Sequence, residues 1–263
     1  MGLIKGVLKF ILSNLFVLFL LLFVLTAALH NSLSPDYFKG QVKSFLKEQP
    51  GFSENIEKTY NYSRLYFFVM NQTKDVEPKG MDMPFKFIIT KQDANLSKEE
   101  FEDAILEKFA DEMYTSKQDT PIGKMSLGKM SIASLGEKAG SYKRMSMILS
   151  ILSGLALFVL FSGRFVLVGI NFIVVAVFYF PTKFLFSTLQ KQAASNVPGE
   201  VAASFQNLLG GIFSNSLSIA SRYFFYFFIA GIAFVLVGFL IKILKIGLWF
   251  QSFFEKKEIK KRG

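Results

Sequence analysis

The sequence holds few side chains that could together form a catalytic centre. It has one histidine, His30, and no cysteine. The absence of cysteine excludes thiolate zinc sites and a cysteine nucleophile, and a lone histidine cannot build a multi-histidine zinc site. A serine–histidine arrangement would also need a placed carboxylate, and Asp36 lies six residues away in the sequence. We therefore expect His30 to be a polar residue at a membrane interface, and we expect the protein not to be an enzyme.

Two further patterns have spacings that occur in ligand sites. Five acidic residues follow one another closely and predict a solvated helix face rather than a divalent-cation site: Glu99, Glu100, Glu102, Asp103 and Glu107. Residues 123–129 fit the pattern G-x-x-x-x-G-K, but Met130 stands where a phosphate-binding loop has Ser or Thr for magnesium. The sequence thus predicts no cofactor and no metal.

Four strongly apolar windows carry no Asp, Glu, Lys or Arg. They cover residues 10–29, 145–163, 165–182 and 223–241. Each approaches the roughly 20 residues that a helix needs to cross a bilayer. The first window is longer than the apolar core of a secretory signal peptide, so we interpret it as an uncleaved signal anchor.

The second and third windows must form a hairpin. A single helix over residues 145–182 would be roughly 57 Å long, nearly twice the thickness of the hydrocarbon layer. Gly163 and Arg164 are the one place in this stretch where a helix breaker stands beside a charge. We predict the turn there, with Arg164 at a membrane surface.

Basic residues predict the orientation. Lys5, Lys9, Arg164 and seven Lys or Arg residues after position 241 flank the windows, whereas residues 30–144 hold 17 basic and 17 acidic residues. The positive-inside rule places both termini and the Arg164 turn in the cytoplasm. We expect the basic tail to contact anionic membrane lipids, and it is too short and unsupported to indicate a nucleic-acid partner.

Residues 31–144 predict a small α+β domain outside the cytoplasm. Ser34-Pro35-Asp36 is typical of a helix start, and Ser97 followed by Glu100 predicts a capping box. The helix after it carries an apolar stripe for core packing: Phe101, Ile105, Phe109 and Met113. Residues 64–70 and 84–90 are rich in aromatic and β-branched side chains and predict strands. Residues 120–142 predict a flexible linker, with an amphipathic segment on the outer leaflet as the alternative.

Small residues recur every four positions on two predicted helices. One set is Ser146, Ser150 and Gly154, and the other, on an uncharged helix over residues 201–221, is Gln206, Gly210, Ser214 and Ser218. Such faces favour close helix packing, within one chain or between copies, and the second set also allows a pore lining. Three glycosylation sequons fall in the predicted outer domain, at Asn61, Asn71 and Asn95.

The sequence as a whole predicts a membrane all-α bundle of four transmembrane helices with a small α+β extracytoplasmic domain. The expected role is non-enzymatic: a binding, assembly or structural component of the cell membrane that meets lipids and either a protein partner or further copies of itself. The alternative is a subunit of an oligomeric channel or transporter. The predicted segments are a signal anchor at 1–30, the outer domain at 31–144, the hairpin at 145–182, a second outer segment at 183–222, the last span at 223–241 and the tail at 242–263.

Overall fold

The computed structural model describes residues 2–49, 51–74, 76, 88–115, 131–161, 163–195 and 201–262, without the side chains of 2, 3, 192–195, 201–206 and 246–262. Its chain divides into two compact units. We call residues 1–27, 141–183 and 218–263 the membrane unit, and residues 28–140 and 184–217 the helical domain.

Nine α-helices and one π-helix occupy the described residues. In chain order the α-helices are α1 (Gly2–Ser32), α2 (Pro35–Lys47), α3 (Phe52–Arg64), α4 (Lys91–Ala94), α5 (Lys98–Thr115), α6 (Ile132–Leu160), α7 (Arg164–Val177), α8 (Tyr179–Ser195) and α9 (Val201–Arg262). The π-helix (Leu65–Val69) follows α3 directly. Residues 132–142, placed in a linker by the sequence, form the start of α6.

Four helical stretches are long and apolar enough to cross a membrane, as expected for a multi-pass membrane protein. They are Ile4–Ser32, Ile132–Leu160, Arg164–Lys191 and Asn207–Lys245. Three of them contain a whole predicted apolar window, and Ile132–Leu160 contains residues 145–160 of the window predicted over 145–163. The helix predicted over residues 201–221 continues without a break into the window predicted over residues 223–241.

The predicted hairpin turn is confirmed at Gly163. The α6 helix ends at Leu160 and α7 begins at Arg164. Gly163 has φ = 75°, a left-handed conformation that glycine adopts without a steric penalty. Arg164 follows at the first position of α7, with its guanidinium 4.8 Å from the centre of the Phe158 ring.

Glycines set the contact between α7 and α9 in the membrane unit. A Cβ atom on Gly231 would lie 2.8 Å from the Gly169 carbonyl oxygen, and one on Gly169 would lie 2.7 Å from the Gly231 carbonyl oxygen. One heptad further along α9, a Cβ on Gly238 would lie 3.0 Å from the Val166 backbone nitrogen. The two helix backbones therefore approach more closely than any larger residue would permit.

The helical domain has a hydrophobic core of its own. Helix α5 buries the predicted stripe, since Phe101, Ile105, Phe109 and Met113 are all buried. Phe38 and Val42 from α2 and Ile56 from α3 belong to the same core, and so do Leu208 and Ile212 from the domain's part of α9. The uncharged segment after residue 200 thus contributes one apolar face to this domain.

The predicted α+β character of this domain is wrong. The described residues contain no strand, and a single antiparallel bridge joins Val76 and Ile89. Residues 64–70 complete α3 and form the π-helix, while residues 84–87 of the second predicted strand lie outside the described residues. Phe67 is buried, whereas Leu65 and Val69 are exposed. A half-buried strand would instead bury all three on one face.

Helical periodicity explains why the strand prediction failed. The buried residues of α3 and the π-helix are spaced by three or four: Phe52, Ile56, Thr59, Ser63 and Phe67. That spacing continues the helix across residues 64–70 despite their high β-propensity, because burial against the core outweighs local preference. The Met70 N–H donates to the Leu65 carbonyl at 2.9 Å, an i to i−5 bond that defines the π turn.

The predicted helix starts of this domain are confirmed. Pro35 opens α2 after Ser34, which has an extended backbone. At the start of α5, the Glu100 carboxylate accepts from the Ser97 N–H at 3.0 Å, and the Ser97 Oγ accepts from the Glu100 N–H at 3.3 Å. This reciprocal pair is the capping box.

Candidate functional site

Among the described residues of the helical domain, the π-helix carries a group of exposed apolar side chains. Leu65, Phe68, Val69 and Met70 occupy little more than one turn, and their exposed fractions range from 43% to 73%. We call these four residues the π-helix patch. Single exposed apolar side chains are common on proteins, but a contiguous group of them usually marks a contact surface.

The patch is anchored by one buried side chain and lies near two cations. The Phe67 side chain, within the same turn, is fully buried in the core. The Arg64 guanidinium donates to the Tyr60 hydroxyl at 3.2 Å. The Lys91 ammonium lies 5.7 Å from the centre of the Phe68 ring. Two positive charges therefore accompany the patch, Arg64 at the residue before it and Lys91 against its Phe68 ring.

The small residues of α6 pack inside the membrane unit. Ser146 and Ser150 are buried, and their hydroxyls donate to carbonyls of the same helix, at Tyr142 (2.7 Å) and Met147 (2.8 Å). A Cβ on Gly154 would lie 2.9 Å from the Phe16 ring of α1. This face of α6 thus meets another helix of the same chain.

The small polar face of α9 is arranged differently. Gly210 faces Gln190 of α8, and the Ser214 and Ser218 side chains are exposed; the side chain of Gln206 lies outside the described residues. The buried face of α9 is instead the row that contains Leu208, Ile212 and Ser216. The spacing in the sequence identified two faces, but it could not say which of them meets the core.

Sequence reasoning missed Gly211 as a contact point. The Tyr37 hydroxyl of α2 donates to the Gly211 carbonyl at 3.1 Å. The Gln41 side chain of α2 occupies the space where a Cβ on Gly211 would stand. The adjacent pair Gly210-Gly211 in the sequence is the signal that could have indicated two different helix contacts.

Ser13, Asn14 and Asn171 form hydrogen bonds inside the membrane unit. The Ser13 hydroxyl donates to the Asn171 Oδ1 at 2.7 Å, and the Asn14 amide donates to the Phe10 carbonyl at 2.8 Å. Asn171 is buried, and its Nδ2 has no hydrogen-bond partner. The Ser13–Asn171 hydrogen bond thus links α1 to α7, as does the contact of the Phe16 and Phe172 rings, 5.4 Å apart centre to centre.

His30 makes a contact between helices, and acidic side chains of α5 form ion pairs. The His30 Nδ1–H donates to the Gly136 carbonyl at 3.0 Å, and a Cβ on Gly140 would lie 3.0 Å from the same ring. Glu107 and Asp103 of α5 form ion pairs with lysines of α2. Within the described residues, no three His, Asp or Glu side chains are placed to hold a metal ion. The G-x-x-x-x-G-K pattern lies outside them.

Charges join α2 to α5 across the helical domain. Lys39 pairs with Asp111 and with Glu107, and Lys43 also pairs with Glu107. The Asp111 carboxylate is the main cause that raises the pKa of Lys39, and the Lys43 ammonium is the main cause that lowers the pKa of Glu107. Because these groups are partly exposed, each pair adds little to stability.

Asp93 is the one buried carboxylate among the described residues. It caps α4 by accepting from the Thr90 N–H at 2.6 Å, and it pairs with Lys108 of α5. Burial raises the pKa of the Asp93 carboxyl, but the bonds from Lys108 and Thr90 together outweigh it and hold the pKa below its usual value. The ionised form is thus the one that stabilises the domain.

We expect Asp93→Asn to destabilise the helical domain by about 1–3 kcal/mol at neutral pH, the range for a lost buried charged hydrogen bond. A lowered pKa in the folded state means that the contribution is complete above the unfolded value of about 3.9 and disappears as the pH falls through the folded value. Hydrogen exchange in peptides from residues 91–115 measures this loss of stability. The difference in exchange rate between Asp93→Asn and the wild type must shrink below pH 4. Glu54→Gln, at an exposed pair with Lys58, is the control and should show no change.

The three sequons differ in their surroundings. Asn61 lies within α3, and the Ser63 of its sequon is buried, with its hydroxyl bonded to the Thr59 carbonyl. Asn95 ends α4, and the Ser97 of its sequon caps α5. Asn71 follows the π-helix with φ = 50° and an exposed side chain. Of the three, Asn71 is the one outside a helix or a cap.

Comparisons of this chain with protein-family models, curated proteins and solved structures give no match.

Proposed function

We propose that this chain is a non-enzymatic membrane protein that holds a binding domain at the cell membrane and recruits a protein partner through the π-helix patch. The observation that carries this proposal is the patch itself: four exposed apolar side chains on a turn whose neighbour Phe67 is locked in the core. The domain buries a core without them. Their exposure therefore serves contact with another molecule better than it serves folding.

The borders of the patch define the chemistry of the partner. Arg64 directly precedes the apolar turn, and the Lys91 ammonium lies 5.7 Å from the centre of the Phe68 ring. A partner that presents an apolar anchor flanked by acidic side chains would satisfy both features. The interaction would weaken with salt through the charged rim and persist in part through the apolar centre.

A photo-cross-linking residue at position 68 in native membranes tests this proposal. We expect a discrete cross-linked protein, and we expect its yield to fall at least tenfold in Val69→Ser/Met70→Ser chains, since each removes apolar contact area. The matched control places the same residue at Glu99, an exposed position on a different helix, α5. An equal product from position 99, or only lipid adducts from position 68, would refute the proposal.

We also propose that both termini and the Arg164 turn are cytoplasmic and that the helical domain lies on the other side. The uneven distribution of Lys and Arg supports this orientation. The chain has no cysteine, so single cysteines report the topology directly. In intact cells, we expect an impermeant maleimide to label Glu99→Cys and to label Lys5→Cys only after permeabilisation. The opposite labelling pattern would show that the orientation is reversed.

The second candidate is a subunit of an oligomeric channel or transporter. It is favoured by the exposure of Ser214 and Ser218 on the uncharged segment 201–221 of α9, because copies of such a face could pack together or line a water path. Solute flux through liposomes that carry the purified protein distinguishes the candidates. Flux that Ser214→Leu abolishes would replace the binding proposal with the channel, whereas impermeable liposomes would exclude the channel.

A further inference from the structure

A groove between the end of α7, the start of α8 and α9 lies within the membrane unit. Its volume is about 540 Å³, and its wall is almost entirely apolar, with Ala176, Val177 and Phe180 on one side and Phe224 and Phe228 on the other. Ser221 and Arg222 provide its polar end. The groove therefore has an apolar length and a cationic end.

The helix break between α7 and α8 forms one wall of this groove. Helix α7 ends at Val177, α8 begins at Tyr179, and Pro181 lies in the first turn of α8. Proline has no N–H, so the Val177 carbonyl receives no helical hydrogen bond from position 181. The break also turns the Tyr179 ring towards Phe224, with the ring centres 6.1 Å apart.

The Tyr179–Phe224 contact joins the turn of α8 that precedes Lys183 to the turn of α9 that follows Arg222, and of these two cations Arg222 lines the groove. Tyr179 is one turn before Lys183, on the same face of α8, and Phe224 is two residues after Arg222. Lys183 and Arg222 each directly adjoin an apolar window, residues 165–182 and 223–241. Both cations therefore mark the same boundary of the apolar zone.

No acidic side chain of the described structure neutralises these cations. Residues 1–27, 141–183 and 218–245 contain no Asp or Glu, and the ion pairs of the described residues include neither Lys183 nor Arg222. The phosphate of an anionic lipid head group is one source of the missing counter-charge at an apolar boundary.

We propose that this groove binds one anionic phospholipid, with its phosphate at Arg222 and Lys183 and an acyl chain along Phe180, Phe224 and Phe228. The cationic end favours a negatively charged head group, and the aromatic wall packs against the acyl chain of the lipid. This site differs from the π-helix patch in both place and ligand, so either proposal can fail without the other.

Native mass spectrometry of the full chain, with phosphatidylglycerol and phosphatidylcholine added in detergent, tests the site. We expect one phosphatidylglycerol to be retained preferentially. Arg222→Gln should weaken its binding about fivefold, the equivalent of about 1 kcal/mol per cation near a membrane surface, and the double variant with Lys183→Gln should lose the preference. Arg144→Gln, at an exposed cation of the same unit outside the groove, is the control.

A second variant tests the acyl-chain contact independently of the head-group contact. Ala176→Phe fills the groove and leaves both cations in place, so it should also release the lipid, with helicity checked by circular dichroism. Equal retention of phosphatidylcholine, equal loss in Arg144→Gln, or binding of glycerol 3-phosphate as tight as that of phosphatidylglycerol would each overturn the proposal.

Discussion

Gly231→Leu in α9 is expected to lower the free energy of unfolding of the membrane unit by at least about 3 kcal/mol, the upper end of the overpacking range. The glycine Cα faces the Gly169 carbonyl of α7, and any Cβ would stand 2.8 Å from that backbone oxygen. A backbone atom cannot rotate away as a flexible side chain can. The two helices must therefore separate, and the close contacts of Gly169 and Gly238 between α7 and α9 are lost as well.

The matched control for this change is Gly6→Leu in α1. Gly6 lies in a helix of the same unit, and nothing stands within 4 Å of the position that its Cβ would occupy. Leucine also has a higher helix propensity than glycine, so this variant should unfold like the wild type. Titration with a denaturing detergent, followed by circular dichroism, measures both. Equal unfolding midpoints for the two variants would show that α7 and α9 do not meet at Gly231.

Phe101→Ala in α5 is expected to destabilise the helical domain by about 3–5 kcal/mol. The Phe101 ring is fully buried and lies 5.1 Å, centre to centre, from the Tyr60 ring. Its removal exposes no new surface but leaves a cavity where α3 and α5 meet, which close-packed neighbours fill only in part. Since small domains have a stability of about 5–15 kcal/mol, this loss is a large share of the total.

Phe68→Ala provides the comparison for the Phe101 change. It removes the same side chain from the π-helix patch, where 44% of the residue is exposed, so stability should change by no more than about 0.5 kcal/mol. Hydrogen exchange in peptides of α3 and α5 reports the effect on the helical domain in the intact protein. If Phe68→Ala destabilised the domain as much as Phe101→Ala, the patch would belong to the core and could not serve as a free contact surface.

Local chemistry explains why several predictions are confirmed. A bilayer accepts only apolar, internally hydrogen-bonded segments, so the charge-free windows had to become helices. Gly163 could turn the chain because it alone adopts φ = 75° there without strain. The capping box at Ser97 needed residues only three positions apart. In each case, the prediction depended only on interactions between residues that are close in the sequence.

The strand prediction failed where tertiary burial decided the outcome. Residues 64–70 have side chains that favour strands locally, but Ser63 and Phe67 continue the buried spacing of α3. That spacing is visible in the sequence only if the segment is joined to the helix before it. The exposed side chains on the same turn then became the π-helix patch, which no motif had indicated.

The sequence by itself determined the number of apolar crossings, the hairpin turn and the apolar stripe of α5. Only the tertiary structure decided that residues 64–70 are helical, that Gly169, Gly231 and Gly238 join α7 to α9, and that Ser214 and Ser218 remain exposed while Ser146 and Ser150 are buried. The physical reason is that the spacing of side chains defines the faces of a helix, whereas the partner of each face depends on which distant segment fills the space beside it.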